Sequence, residues 1–161
     1  MANSSWTGAL RLINGAFTGS LQKAHKCGPF DGGCLIVAQA FQSVIGGELH
    51  VLVDKNDVAN HAVILKDGQL WDYDGPLEPE AFIERYNSHV NNPRYICVKH
   101  RPFTGWDLSE AIENDALAKR LAIMLRYIVP PQQKTGPGDI VAITRPDFLE
   151  DTFSGPAYTC G

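Results

Sequence analysis

A nucleophile, a base and an orienting carboxylate can be drawn from residues 34–74 of this chain. Cys34 follows Gly32-Gly33 and opens a run of apolar residues that lasts to Ile45. If that run is helical, the thiol sits at the positive end of the helix dipole, where thiolate is stabilised. Gly32 and Gly33 would let backbone N–H groups come close to a bound carbonyl, as an oxyanion site needs. His61 can serve as base, and Asp72 or Asp74 can hold its second ring nitrogen and stabilise imidazolium. Each residue also has a plainer reading: a packed core thiol, a solvated histidine at a strand end, and aspartates that shape a turn before Gly75-Pro76.

The elements that must carry these side chains are readable. Gly46-Gly47 ends the apolar helix 34–45. Glu48–Val53 alternates Leu49, Val51 and Val53 against polar partners, which predicts a strand. His61–Lys66 and Gln69–Tyr73 flank Asp67-Gly68, a strong two-residue hairpin signal. That turn fixes a register: Lys66 with Gln69, Ile64 with Trp71, Val63 with Asp72, His61 with Asp74. His61, Asp72 and Asp74 then share a sheet face, with Asp74 directly opposite the histidine and Asp72 diagonal to it.

Cysteine on a helix, then histidine and aspartate on successive strands, is a nucleophile–base–orienter order. The segment 27–75 resembles the papain-like cysteine peptidase fold in its small bacterial form. The matching pieces are Gly32-Gly33-Cys34 opening an apolar helix, Asn60-His61-Ala62-Val63-Ile64, and Gly68-Gln69-Leu70-Trp71-Asp72. The resemblance implies a hydrolase acting on an amide: a peptide, an isopeptide to a protein modifier, or a peptidoglycan stem peptide. It assigns Cys34 as nucleophile, His61 as base and then acid, and Asp72 rather than Asp74 as orienter. Gly32, Gly33, Asp74 and Trp71 are the candidate binding residues, and peptide or protein is the expected partner. Two positions depart from the pattern. No Gln stands in the loop before Cys34, and Leu35-Ile36 replace the aromatic that usually follows the nucleophile. A non-catalytic binding or inhibitor protein on the same scaffold is therefore the alternative reading.

Elsewhere the chain is organised as follows. Trp6, Leu10, Ile13, Phe17 and Leu21 mark one face of a helix over 6–22, despite Gly8, Gly15 and Gly19. Residues 78–89 read as a short helix and 94–99 as a strand. Asp107-Leu-Ser-Glu110 resembles a helix start, opening a helical region to about Val129 with a break near Asn114. A last strand is expected at Ile140–Ile143. The fold class is α+β, a small antiparallel sheet with a buried helix carrying the candidate nucleophile, in one domain over 1–161. Residues 101–161 lie beyond what the motif needs.

The 161 residues include 44% hydrophobic and 20% charged positions, and the net charge is −4. Such a balance, with no basic run, argues against nucleic acid as a partner. No apolar run approaches the roughly 20 residues of a membrane span. With no secretory signal at the N-terminus, the four cysteines read as free thiols in a cytoplasmic protein; export by a machine that uses no cleaved signal stays open. His25 and Cys27 with Cys97 and His100 form the one zinc-type alternative, at spacings unlike a familiar finger. No phosphate or dinucleotide fingerprint occurs, so no cofactor and no metal are expected.

Overall fold

The computed structural model describes residues 4–108 and 111–129. Four helices and a four-stranded antiparallel sheet make an α+β architecture. In chain order the elements are α1 (Ser4–His25), α2 (Cys34–Ile45), β1 (Glu48–Val53), β2 (Ala59–Lys66), β3 (Gln69–Trp71), α3 (Pro79–Ser88), β4 (Lys99–Pro102) and α4 (Asp115–Leu125). The strand order is β3-β2-β1-β4. The expected strand at 140–143 lies outside the described residues.

Helix α1 buries Trp6, Ile13, Phe17 and Leu21, the stripe its spacing predicts. Gly8, Gly15 and Gly19 lie on its exposed side, with open space where a side chain would be. Helix α2 is apolar nearly all round because it is enclosed: it packs on β2 on one side and α4 on another. This main core joins α1, α2 and α4 to one sheet face through Phe41, Ala62, Ile64 and Leu121. A smaller core lies under α3 on the other face and contains Leu52, Val63, Leu70, Phe82 and Cys97.

The β2–β3 hairpin turns at Asp67-Gly68 with φ of 49° and 79°. Both central residues are left-handed, as a type I′ turn requires. Lys66 pairs with Gln69 and Ile64 with Trp71, the register the turn predicts. The two outer pairs, Val63 with Asp72 and His61 with Asp74, do not form. After Trp71 the chain leaves the ladder in a tight turn, closed by Gly75 N–H donating to the Asp72 carbonyl at 3.0 Å. Gly75 has φ 91°, and a Cβ there would fall 2.4 Å from the Trp6 ring. The turn and the docking of α1 therefore both need glycine at this position.

Two expectations fail for local reasons. The strand placed at 94–99 is displaced to 99–102. Pro93 begins a 3₁₀ turn in which Asn92 accepts from Arg94 N–H at 3.0 Å. Asn87 then brackets Cys97, accepting from its N–H at 2.9 Å and donating to its carbonyl at 2.8 Å. Those backbone groups are thus withdrawn from the ladder. Strand β4 can end on Pro102 because it is an edge strand. The helix start placed at Asp107 is a turn instead: its carboxylate accepts from Thr104 N–H at 2.7 Å and from the Arg101 guanidinium. Helix α4 begins at Asp115, capped by the Asn114 side chain, which accepts from Leu117 N–H at 2.9 Å.

Candidate functional site

The loop before α2 is folded on itself, which brings Cys34 to the open end of β2. Gly33 N–H donates to the Gly28 carbonyl at 3.1 Å, and a Cβ on Gly33 would stand 2.5 Å from that oxygen. Only glycine permits this approach. It also means that the Gly33 N–H is occupied inside the loop, which corrects the reading of Gly33 as an oxyanion donor. Gly32 remains on the wall of the cleft beside Cys34.

Cys34, at the first position of α2, and His61, near the start of β2, are 6% and 1% exposed. Strand β3 has ended before it reaches the level of His61, so this stretch of β2 is uncovered on that side. The backbone N–H of Ala62 there is near enough to the Cys34 sulfur to favour its thiolate. His61 Nε2 lies 3.1 Å from Asp72 Oδ2. Its other nitrogen, Nδ1, is buried and closes no hydrogen bond, while the Cys34 thiol is near enough to influence its basicity. The imidazole is flanked by Phe30, with ring centroids 5.8 Å apart, and by Tyr86 at 5.1 Å, both near parallel to it.

The electrostatics follow from this packing. Burial alone would push the Cys34 thiol up. The neighbouring His61 imidazole, with the N–H groups of Ala62 and Leu35, outweighs burial and holds the thiol below its ordinary value. Burial would likewise favour neutral His61, but the hydrogen bond to Asp72 and the neighbouring Cys34 thiol prevail and raise it to about 9. The two shifts are mutual: imidazolium lowers the cost of thiolate, and thiolate that of imidazolium. The two other described cysteines go the opposite way: burial raises Cys27, and raises Cys97 to about 11.

Asp72 is 5% exposed and has both carboxylate oxygens engaged. Oδ2 takes His61; Oδ1 takes Asp74 N–H at 2.9 Å and Arg85 Nη2 at 2.8 Å. Arg85, on α3, also reaches the carbonyls of Asp74 and Gly75, both at 3.2 Å. Sequence reasoning gave no sign of Arg85, since only the packing of α3 against β3 and the turn after it brings the residue here. Asp74 is not at the imidazole. It makes no hydrogen bond to His61 and lines, with Asp72, Tyr86, Arg85 and His89, a second cavity of about 220 Å³. Trp71 is not at the site either: it packs edge-on against Trp6, with centroids 5.8 Å apart, and beside Phe41 in the main core.

Cys34 lies at the wall of a cleft of about 630 Å³. Val58, Asn60, Tyr95 and Trp106 also line it, and Trp106 is 90% exposed. Two carboxylates border the cleft, and both are bridged by cations. Arg101 forks Asp107 at 2.7 and 2.8 Å and reaches Asp57 at 2.9 Å, where Lys99 also binds at 2.9 Å. The Arg101 guanidinium holds the Asp107 carboxyl down to about 2.

The zinc-type residues are not assembled. His25 accepts from Asn114 at 2.8 Å, and His100 Nδ1 lies 3.0 Å from His50 Nδ1. Among the described residues no three His, Cys, Asp or Glu side chains are grouped as a metal would need. No described helix is long and apolar enough to cross a membrane. In comparisons with known proteins, no family model matches the chain, and no curated protein or solved structure matches it.

Proposed function

We propose that this chain is a papain-like thiol hydrolase that cleaves an amide bond. One observation carries the reading: Cys34, in the wall of an open cleft, adjoins a buried His61 whose far nitrogen is 3.1 Å from the buried carboxylate of Asp72. Nucleophilic acyl transfer uses such a set of groups, and general packing does not require it.

In this reaction the Cys34 thiolate attacks the carbonyl carbon, and the C=O π pair moves onto oxygen. The oxyanion is met by the main-chain N–H of Cys34, in the first turn of α2, where N–H groups have no helical acceptor. His61 gives its Nδ1 proton to the amine as the C–N bond breaks, leaving a thioester on Cys34. His61 then takes a proton from water, whose oxygen attacks the thioester carbon; the C–S bond breaks, Cys34 leaves as thiolate, and the carboxylic acid is released. Asp72 keeps the imidazole oriented and stabilises its cationic form throughout. The acyl group belongs to a peptide, an isopeptide or a peptidoglycan stem peptide.

A peptidyl vinyl sulfone, which alkylates an activated thiol, tests the reading. The expected adduct maps to Cys34, is lost in Cys34→Ser, and is strongly reduced in His61→Ala. Cys34→Ser changes one atom and should leave the melting temperature nearly unchanged. No adduct on the native protein, with Cys34→Ser destabilised by about 1–3 kcal/mol, would mark Cys34 as a packing residue. No adduct with stability retained would turn the reading to a binding protein on this scaffold.

A further inference from the structure

We propose that Arg85 is a fourth member of the site, a positioning residue that acts through Asp72 as the counter-cation of the triad carboxylate. The inference rests on the reading of Cys34 as nucleophile. Asp72 is 5% exposed and its Oδ1 lies 2.8 Å from Arg85 Nη2, while its Oδ2 faces His61. The Arg85 side chain is itself only 18% exposed.

Charge counting gives Arg85 its role. In the reactive state the buried site holds thiolate, imidazolium and carboxylate, which sum to −1. A buried net charge is costly unless paired, and the guanidinium brings the sum to zero. It also divides the hold that Asp72 exerts. A carboxylate bound only to imidazolium retains the proton on His61 strongly, which suits a thiolate but slows donation to the leaving amine. Sharing Asp72 with a second cation weakens that hold and makes His61 a better acid. Arg85 stays in place because its remaining N–H groups bind the carbonyls of Asp74 and Gly75, and its guanidinium carbon sits 4.5 Å over the centre of the Phe82 ring. Asp72 would keep its orientation without Arg85, since Asp74 N–H still binds Oδ1 at 2.9 Å. The charge contribution is thereby separable from the geometric one.

The test follows the His61 ring by NMR against pH, in the full chain, alongside the pH dependence of Cys34 alkylation by iodoacetamide. Removing a cation from this distance should move the His61 inflection up by about one pH unit in Arg85→Gln. Arg85→Lys keeps the charge and should restore most of the native value. Thermal melts of both variants confirm that each is folded. An inflection that stays put or moves down in folded Arg85→Gln, with the native Cys34 still activated, would show that Arg85 only braces the 72–75 turn. A native Cys34 that alkylates like an ordinary thiol would instead remove the underlying hydrolase reading, whatever Arg85 does. If Arg85→Gln is unfolded, Arg85→Lys decides: a His61 inflection within a few tenths of a unit of native supports the proposal, and a downward displacement of a full unit overturns it.

Discussion

His61 Nε2 and Asp72 Oδ2 meet at 3.1 Å, although the β2–β3 ladder ends at Trp71 and Asp72 pairs with no residue of β2. The contact is made by a turn rather than by strand register. The Asp74 N–H and the Arg85 guanidinium fix the far carboxylate oxygen. The near oxygen is left to the imidazole.

Thiol reactivity should divide the cysteines sharply. Cys34 is held below its ordinary value by His61, whereas burial raises Cys27 and Cys97. Iodoacetamide at pH 7, followed by peptide mapping, should modify Cys34 at least about tenfold faster than either. His61→Ala should slow the Cys34 reaction and move its inflection up. Equal labelling of the three thiols would contradict the assigned electrostatics.

Stability should fall on the alkaline side in a Cys34→Ser background, where Asp72 alone sustains the His61 shift. The native-state value of His61 is raised above its unfolded 6.5. Its contribution is therefore complete below pH 6.5 and is lost as pH rises through the folded value. Denaturant unfolding should show a decline on the order of 1–2 kcal/mol between pH 6 and pH 9.5. Adding Asp72→Asn should flatten that decline; an unchanged slope would mean that the carboxylate does not hold the imidazolium.

The two aspartates should behave differently. Asp72→Asn removes the anion shared by His61 and Arg85, at a cost of about 2–4 kcal/mol in stability, and lowers the His61 inflection toward 6.5. Asp74→Asn should change stability by less than about 0.5 kcal/mol, as befits an exposed residue. It should move the His61 inflection far less than Asp72→Asn does, since Asp74 acts on the imidazole only through space. A larger effect of Asp74→Asn on the His61 titration would reverse the assignment.

Glycine substitutions should have opposite signs by position. Gly15→Ala and Gly19→Ala, on the exposed face of α1 with open space around them, should each stabilise the protein by about 0.5–1 kcal/mol. Gly33→Ala, whose Cβ would stand 2.5 Å from the Gly28 carbonyl oxygen, should destabilise it and displace Cys34. Thermal melts and Cys34 alkylation together read both effects, and a neutral Gly33→Ala would show that the loop is not built around that contact.

Short-range patterns made much of this arrangement legible in the chain itself. The apolar run after Gly32-Gly33 identifies α2 with Cys34 at its first position, because helix start and burial are properties of contiguous residues. Asp67-Gly68 sets a type I′ turn, and with it the register of Ile64 with Trp71 that carries the chain to Asp72. What depended on packing between distant segments was not legible. Trp6 of α1 excludes any Cβ at residue 75, and the turn there sends Asp72 rather than Asp74 to the imidazole. Asn87 captures the backbone of Cys97 and shifts β4 along the chain. Trp71 joins the core because Trp6 and Phe41 are there to receive it. Arg85 meets Asp72 only because α3 folds back over β3 and the turn that follows it. A linear pattern encodes the period and ends of an element, whereas the partners of its side chains are fixed by residues remote in sequence, whose positions depend on the packed tertiary structure.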